Sequence, residues 1–381
     1  MKTRHQIFWW ILRPLVAAFC WIRFGYTCRK PKNLPKNYIV LANHATDFDP
    51  LFVGVAFPRQ MYFVASKHIS RWKVAWFFLR YVFDPILRYK GTVALTTAVE
   101  VLKKTRKGGN IAIFAEGMRT WDGVTGPILP STAKLVKSAG CGLVTYKLVG
   151  GYFISPNWSE KSLRRGPVRG EPVGVYTAEE IAAMSAEELD ALICRDLYED
   201  ACARQETLRG RYRGKRLAEK LENLLYICPN CGAYDSLTSR GCTASCSACG
   251  KTLTVDEYGF VHGAGEKTLL ALSRNQTAQA ERDAARGMAY TAPHGSLYAI
   301  GKRQETFVTE GPVSLSAEEL RCGDFTAATE QISDLAIHGR HELVFSIGRE
   351  YYELRPDRPV CAYKFFLYFR ILKNKPRTGK Q

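Results

Sequence analysis

Acidic residues are scarce in this chain of 381 residues: 36 Asp and Glu stand against 54 Lys and Arg, and none precedes Asp47. The formal net charge is therefore +18 at pH 7. Such an excess predicts a polyanionic partner: nucleic acid, an anionic membrane face or a phosphorylated substrate. A globally disordered chain is excluded, because hydrophobic residues make up 46% of the sequence and charged residues only 24%.

The sequence also lacks an unbroken apolar run of about 20 residues, which a membrane-spanning helix needs. Residues 1–36 are basic and apolar, but Arg13 and Pro14 interrupt the apolar stretch. Their tryptophans and cations suit the headgroup boundary of an anionic membrane. A signal peptide is disfavoured, because cations rather than a small-residue cleavage site follow. We therefore predict monotopic attachment rather than a span, with a buried core helix as the alternative.

A disulfide framework is missing as well. Most of the 12 cysteines are scattered, which is typical of a reducing compartment and places the membrane attachment on the cytoplasmic face. Four cysteines form two C-x2-C pairs, Cys228 with Cys231 and Cys246 with Cys249, with 14 residues between the pairs. Four thiolates complete a tetrahedral Zn²⁺ with no open position. The spacing predicts a structural zinc site in a module resembling a zinc ribbon; the alternative is reduced cysteines without metal.

The loop between the two pairs has few groups that bind nucleic acid. Its only cation is Arg240 and its only aromatic residue is Tyr234. Binding of nucleic acid needs several phosphate contacts and stacking surfaces. Nucleic acid is therefore not an expected partner, and the ribbon is expected to dock a partner or to act as a rigid spacer.

Strand and helix patterns alternate in the first half of the chain, which predicts an α/β core over residues 37–212. The predicted strands are 38–41, 61–65, 110–114 and 143–148, and helical patterns include 71–81 and 96–104. Two capping-box patterns, Thr177 with Glu180 and Ser185 with Glu188, begin two helices, the second running to about Gln205.

The zinc-ribbon module is assigned to residues 213–265, and residues 266–381 read as a small β-rich domain. This last domain has a helical stretch at 277–286, short strands at 335–337, 343–347 and 351–354, and a closing helix at 363–372. It faintly resembles a pleckstrin-homology domain and ends in a basic tail.

His44 and Asp49 form an H-x4-D pattern directly after the strand at 38–41. A histidine can act as a general base near neutral pH, and a carboxylate on its other ring nitrogen fixes the tautomer. Acyl transfer to an alcohol needs such a pair and no nucleophilic Ser or Cys if the hydroxyl attacks directly. On its own the pattern also fits an ordinary capped helix start.

A second cluster follows the strand at 110–114 in the run Phe114-Ala115-Glu116-Gly117-Met118-Arg119. Glycine permits close approach of the backbone to a ligand, and the guanidinium of Arg119 is suited to phosphate. Arg88 places another guanidinium after the apolar residues Ile86 and Leu87.

Together these residues resemble the glycerolipid acyltransferase family, whose bacterial member makes phosphatidic acid from lysophosphatidic acid. The NH-x4-D block of that family is matched by Asn43, His44 and Asp49. Its F-P-E-G-x-R block is matched by Phe114, Glu116, Gly117 and Arg119, with Ala115 in place of the proline. Arg88 stands for the arginine of the second block, whereas residues 143–148 lack the proline of the fourth.

The resemblance covers about residues 37 to 170 and implies a mixed sheet flanked by helices. It implies that His44 is the base, that Asp49 orients it, and that Asn43, Arg88, Glu116, Gly117 and Arg119 bind the acceptor. It further implies transfer of a fatty acyl group from acyl-CoA or acyl carrier protein to a lysophospholipid, with 1-acylglycerol-3-phosphate as the expected acceptor. The alternatives are another acceptor, such as glycerol-3-phosphate, or an inactive membrane-bound adaptor.

Overall fold

The structure, a computed structural model, describes residues 3–66, 73–88, 95–160, 162–301, 304–357 and 359–374. Its helices are α1 (Thr3–Phe24), α2 (Asp49–Ala56), α3 (Lys73–Val82), α4 (Leu95–Arg106), α5 (Ser131–Ala139), α6 (Gly151–Ile154), α7 (Ala178–Ala183), α8 (Ala186–Leu197), α9 (Ala201–Leu208), α10 (Leu269–Ala285) and α11 (Ala362–Asn374).

Its strands in the first half of the chain are β1 (Tyr26–Cys28), β2 (Tyr38–Ala42), β3 (Met61–Ser66), β4 (Ile86–Arg88), β5 (Asn110–Phe114), β6 (Gly142–Val149) and β7 (Val168–Tyr176). Those in the second half are β8 (Leu237–Arg240), β9 (Thr243–Cys246), β10 (Thr252–Val255), β11 (Val261–His262), β12 (Tyr290–Ile300), β13 (Glu305–Leu315), β14 (Glu319–Cys322), β15 (Phe325–Ala328), β16 (Ile332–His338), β17 (Glu342–Ile347) and β18 (Glu350–Pro356).

The first sheet has the strand order β1-β7-β6-β2-β5-β3-β4. The neighbours from β6 to β4 are parallel, whereas β7 runs antiparallel to β6. The carboxyl ends of β2, β3, β4 and β5 therefore lie along one edge, where α/β proteins bind their ligands. The predicted α/β fold with a mixed sheet is confirmed.

Alternating side chains of β2 divide between two cores, as a strand buried on both faces requires. Ile39 and Leu41 face a core shared with α4, α5 and α8. Val40 and Ala42 face the other core, which α1 and α2 cover. The sheet is thus flanked by helices on both sides, and β2 is held rigidly at its centre.

Helix α1 runs through Arg13 and Pro14 without a break, so the interruption in the apolar run does not interrupt the helix. The Nε of Arg13 donates a hydrogen bond to the Val55 carbonyl of α2 at 3.0 Å, which gives the guanidinium a polar partner. By length and composition α1 could cross a membrane. One face packs on the domain through His5, Trp9, Cys20 and Phe24, and the other exposes large apolar residues, among them Trp10, Leu15, Trp21 and Ile22.

Three local expectations differ from the structure. Strand β1 lies within the segment assigned to the membrane, yet it pairs with β7 in the sheet. The second capped helix ends at Leu197, and Asp200 caps a new helix by accepting a hydrogen bond from Ala203 N. Two long strands, β12 and β13, precede the predicted short strands of the C-terminal sheet. Residues 67–72, where the helix predicted over 71–81 begins, and the basic tail at 375–381 lie outside the described residues.

The second half of the chain contains two antiparallel sheets, β11-β10-β9-β8 and β15-β14-β13-β12-β18-β17-β16. Both contribute to one hydrophobic core with α10 and α11, and Trp121 and Trp158 of the first half enter the same core. The predicted β-rich C-terminal region is confirmed, and it is packed against the α/β core; the domain boundaries and the pleckstrin-homology likeness stay predictions.

Candidate active site

The ends of three parallel strands bring the two sequence clusters together. His44 follows β2, Arg88 ends β4, and Glu116 to Arg119 follow β5. These strands are neighbours through β2–β5, β5–β3 and β3–β4 pairing, so residues 44, 88 and 119 meet at one edge. The Thr120 N–H donates to the His44 carbonyl at 2.9 Å and joins the two loops.

His44 and Asp49 form a hydrogen-bonded pair, with 2.8 Å between His44 Nδ1 and Asp49 Oδ2. Asp49 is the first residue of α2 and is fully buried. Its Oδ2 also accepts the backbone N–H groups of Ala45 at 2.6 Å and Thr46 at 2.9 Å, which fixes the carboxylate. The imidazole stacks on Phe114 with the ring centroids 4.2 Å apart. Since Asp49 engages Nδ1, Nε2 is the nitrogen left to exchange a proton.

Glu116 is buried and ties the His44 loop to a later segment. Its Oε1 accepts the His44 N–H and its Oε2 accepts the Gly126 N–H, both at 2.6 Å. Burial raises the pKa of this carboxyl to about 8, although the two backbone hydrogen bonds favour the charged form. The contacts of Glu116 therefore position the backbone of His44; direct contact with substrate stays a prediction.

Asn43 also uses its side chain on the backbone. Its amide donates to the Leu148 carbonyl at 2.9 Å and accepts the Leu148 N–H at 2.7 Å. The side chain thus extends the pairing of β2 with β6 by one step and sets where His44 leaves the sheet. Asn43 is 4% exposed, so these contacts serve positioning, and the predicted substrate contact remains untested.

Gly117 and two arginines form the polar side of the site. Gly117 has φ of +73°, and a Cβ built there would lie 2.9 Å from Nη1 of Arg88. Glycine is required at this position for two reasons: the backbone is left-handed, and the Arg88 guanidinium approaches closely. Burial lowers the pKa of both Arg88 and Arg119, since both guanidiniums are largely removed from water.

Both guanidiniums have unused hydrogen-bonding capacity. Among the described residues, Arg88 Nε and Arg119 Nη1 are buried and make no hydrogen bond. Arg119 Nη1 lies 3.0 Å from Asp47 Oδ2, but not in hydrogen-bonding geometry. A buried donor without an acceptor costs about 1–3 kcal/mol, and more when charged, so an anionic ligand would stabilise this pair.

His44, Arg88 and Arg119 line a cavity of about 420 Å³, here called the His44 cavity. Its other walls are mainly apolar and come from α1, α2, β3 and the end of α3: Trp9, Leu51, Phe63, Leu79 and Phe83. Residues 337–339 of the C-terminal sheet complete it. Sequence reasoning did not identify these wall residues, because their positions depend on packing between distant segments.

Residues 25–149 match the family model described as Acyltransferase. The chain contains an acyltransferase-family domain. Among solved structures, the 1-acyl-sn-glycerophosphate (LPA) acyltransferase PlsC from Thermotoga maritima is similar over 52% of this chain and 79% of that chain. The sequence identity is 19% and the TM-score is 0.43. No curated protein matches the chain.

All residues predicted for catalysis and acceptor binding lie inside the matched acyltransferase domain. Residues 157 and 337–339, which also line the His44 cavity, lie outside it. The His44 cavity of this acyltransferase domain is therefore completed by segments that the family model does not include.

The four cysteines of the two C-x2-C pairs meet at one point, with their sulfurs within 4.8 Å of one another. Cys228 Sγ lies 3.9 Å from Cys249 Sγ, and Cys231 Sγ lies 3.7 Å from Cys246 Sγ. Sulfurs bound tetrahedrally at about 2.3 Å from one ion lie about 3.8 Å apart, so this group can hold a metal ion. Cys242 is not part of it, and its thiol faces the Lys215 carbonyl.

Proposed function

We propose that the protein transfers a fatty acyl group from acyl-CoA or acyl carrier protein to the free hydroxyl of a lysophospholipid. The family resemblance makes 1-acylglycerol-3-phosphate the first acceptor to test, with phosphatidic acid as the product. The observation that carries the proposal is the hydrogen bond between His44 and the buried Asp49, because His44 lines a largely apolar cavity together with the guanidiniums of Arg88 and Arg119.

In the proposed reaction, Nε2 of His44 takes the proton of the acceptor hydroxyl as its oxygen attacks the thioester carbonyl. The new C–O bond forms, the C–S bond breaks, and the proton passes from His44 to the departing thiolate. Asp49 holds the Nδ1–H tautomer and stabilises the imidazolium. No nucleophilic side chain is needed, because the acceptor itself attacks.

Arg88 and Arg119 are proposed to bind the acceptor's phosphate. Their buried nitrogens lack hydrogen-bond acceptors among the described residues, and a phosphate offers several. Gly117 leaves room for Arg88, and the apolar walls suit an acyl chain. Asn43 and Glu116 hold the two loops that carry these groups.

Attachment to the cytoplasmic face of an anionic membrane is part of the proposal. One face of α1 exposes Trp10, Leu15 and Trp21 while the other packs on the domain, which suits a helix lying at the headgroup boundary. Trp9 of the same helix lines the His44 cavity, so a lipid acceptor could enter from the bilayer.

We also propose that the cysteine group binds zinc in a structural role. Four sulfurs leave no open position for water or substrate, so the metal would stabilise the fold around it without reacting. Metal analysis of purified protein with reduced thiols should give one zinc per chain.

The test is an acyl-transfer assay on the full chain in anionic vesicles, with lysophosphatidic acid, glycerol-3-phosphate and other lysophospholipids offered separately. The chain supplies a matched control, since His294 and Asp357 form an exposed histidine–aspartate pair 3.0 Å apart. His44→Ala should remove activity while His294→Ala keeps it. Equal activity in the two variants would overturn the mechanism, and inactivity of the wild-type protein toward every acceptor would favour the adaptor.

A further inference from the structure

A second cavity, here called the distal cavity, is also lined by Arg88 and Arg119 and has a volume of about 480 Å³. It shares one wall with the His44 cavity, formed by Arg88, Gly117, Met118, Arg119 and Trp121. A phosphate bound by the two arginines would therefore border both cavities.

The C-terminal domain supplies the far wall of the distal cavity through β16 and α11, with Asp334, Ala336, Tyr363, Phe366 and Arg370. Contacts with Trp121 and Asn157 anchor this wall to the α/β core. Tyr363 stacks on Trp121 with the centroids 4.9 Å apart, and Arg340 Nε donates to the Asn157 carbonyl at 2.7 Å. The cavity is thus a fixed feature of the packed domains.

The lining of the distal cavity combines aromatic surface with groups of both charges. Trp121, Tyr363 and Phe366 provide apolar contact, and Asp334 and Arg370 provide a carboxylate and a guanidinium. A site of about 300–1,000 Å³ with a few convergent polar groups is typical for a whole small molecule. An acceptor with a terminal phosphate would end at the two arginines and would leave the distal cavity without a ligand.

We infer that the distal cavity holds the head group of the acceptor, and that the acceptor is a lysophospholipid whose phosphate is a diester. The inference rests on the proposed function, since it takes His44 as the place of the attacking hydroxyl. From there the acyl chain lies among the apolar walls of the His44 cavity and the phosphate lies at Arg88 and Arg119. The alcohol esterified to that phosphate then points away from His44 into the distal cavity.

The chemistry of the head group follows from the lining. The Asp334 carboxylate can accept hydrogen bonds from an ammonium or from hydroxyl groups, Arg370 can donate to hydroxyl oxygens, and the aromatic residues can cover the carbon atoms of the head group. Ethanolamine and glycerol head groups share this chemistry. Both head groups remain attached throughout, because the reaction breaks no bond of the phosphate diester.

The experiment measures kcat/KM of the full-length protein in vesicles for lysophosphatidylethanolamine, lysophosphatidylglycerol and lysophosphatidic acid, with one acyl donor. We expect at least one diester to be the better acceptor. Ala336→Phe should fill the distal cavity and lower kcat/KM for that diester by about tenfold or more relative to lysophosphatidic acid, the scale of discrimination that a single steric contact provides.

Two further variants keep the test decisive. Asp334 is exposed, so Asp334→Ala should fold and should lower kcat/KM for the preferred diester, through the acceptor KM. Ala328→Phe changes an exposed alanine of β15, outside both cavities. It should leave kcat/KM for the preferred diester unchanged relative to that for lysophosphatidic acid.

A preference for lysophosphatidic acid that neither distal variant alters would overturn the inference and leave the proposed function standing. A change confined to the KM of the acyl donor would assign the distal cavity to the donor, which also overturns it. If no acceptor is acylated by the wild-type protein, the proposed function itself fails and the inference fails with it.

Discussion

The approach of Arg88 to Gly117 allows a prediction that separates backbone strain from ligand binding. In Gly117→Ala, the new methyl group would lie 2.9 Å from Arg88 Nη1 and 3.3 Å from Leu129 Cδ1. The left-handed backbone adds strain of about 1–2 kcal/mol for any residue with a Cβ. The guanidinium is the end of a flexible side chain, so we expect it to move aside and the fold to survive.

The displaced guanidinium would no longer meet the acceptor's phosphate. A hydrogen bond to a charged group contributes about 1.5–3 kcal/mol, so loss of one should raise the acceptor KM by between about tenfold and 150-fold. The KM for the acyl donor should stay close to that of the wild-type protein. Initial rates in vesicles, with acceptor and donor varied separately, measure both constants.

Gly108 offers the matched control. It has φ of +74°, almost the value at Gly117, but a Cβ there would meet nothing within 4 Å. Gly108→Ala should therefore show the loss of stability without the rise in acceptor KM. In an Arg88→Ala background, Gly117→Ala should add little to the acceptor KM. The reasoning is refuted if Gly108→Ala and Gly117→Ala change the acceptor KM equally. It is also refuted if the effects of Gly117→Ala and Arg88→Ala on the acceptor KM are additive, because Gly117 would then not act through Arg88.

The remaining predictions concern the base, a buried carboxyl, the membrane and the metal. His44→Ala should lower kcat by about 10²–10⁴-fold with an unchanged melting temperature, as measured by acyl transfer and thermal unfolding. Because burial raises the pKa of Glu116 to about 8, its contribution to stability is present below about pH 4.5 and is lost as pH rises through 8. Glu116→Gln, which cannot ionise, should flatten that decline in melting temperature, and an unchanged pH profile would contradict it. Replacing the exposed Trp10 and Trp21 by serine should weaken binding to anionic vesicles, and added salt should weaken it further; unaltered sedimentation with vesicles would place the anchor elsewhere. Cys228→Ser should abolish zinc binding and lower the melting temperature, and full zinc content in this variant would refute the site.

The sequence predicted the pairing of His44 with Asp49 because its geometry is local. His44 and Asp49 are five residues apart, and the turn into α2 needs no distant segment to bring them together. Parallel pairing of β2 with β5 then places the second cluster beside them, which the alternation of strands and helices anticipates. The four cysteines meet for a similarly local reason, since each turn orients two of them.

Contacts across long separations could not be predicted. Asn43 pairs with a residue 105 positions later, and Glu116 with the N–H of a residue 72 positions earlier. The family resemblance implied substrate contacts for both side chains, and these stay predictions; the hydrogen bonds of both side chains in the structure go to the backbone. The break between α8 and α9 was missed because no proline or glycine marks it; Asp200 and the hydrogen bonds of residue 199 to Thr125 create it.

The small sheet β8–β11 around the cysteine group shares one core with the C-terminal sheet, which gives the cysteine group a wider influence than the predicted rigid spacer would have. Lys364 of α11 is paired with Asp235, close to the first cysteine pair, and α11 carries Tyr363 and Phe366 into the distal cavity. Loss of the metal would therefore disturb one wall of the distal cavity while the His44–Asp49 pair stays intact.

Trp9 belongs both to α1, the helix proposed to lie at the membrane surface, and to the wall of the His44 cavity. Removing α1 would consequently open the His44 cavity to water, so the truncated protein would not be a soluble form with the same active site. For the proposed lipid acceptor, the concentration that the intact protein meets is a surface density in the bilayer. Diluting the acceptor with inert lipid should slow turnover even when the total amounts of protein and acceptor in the tube do not change.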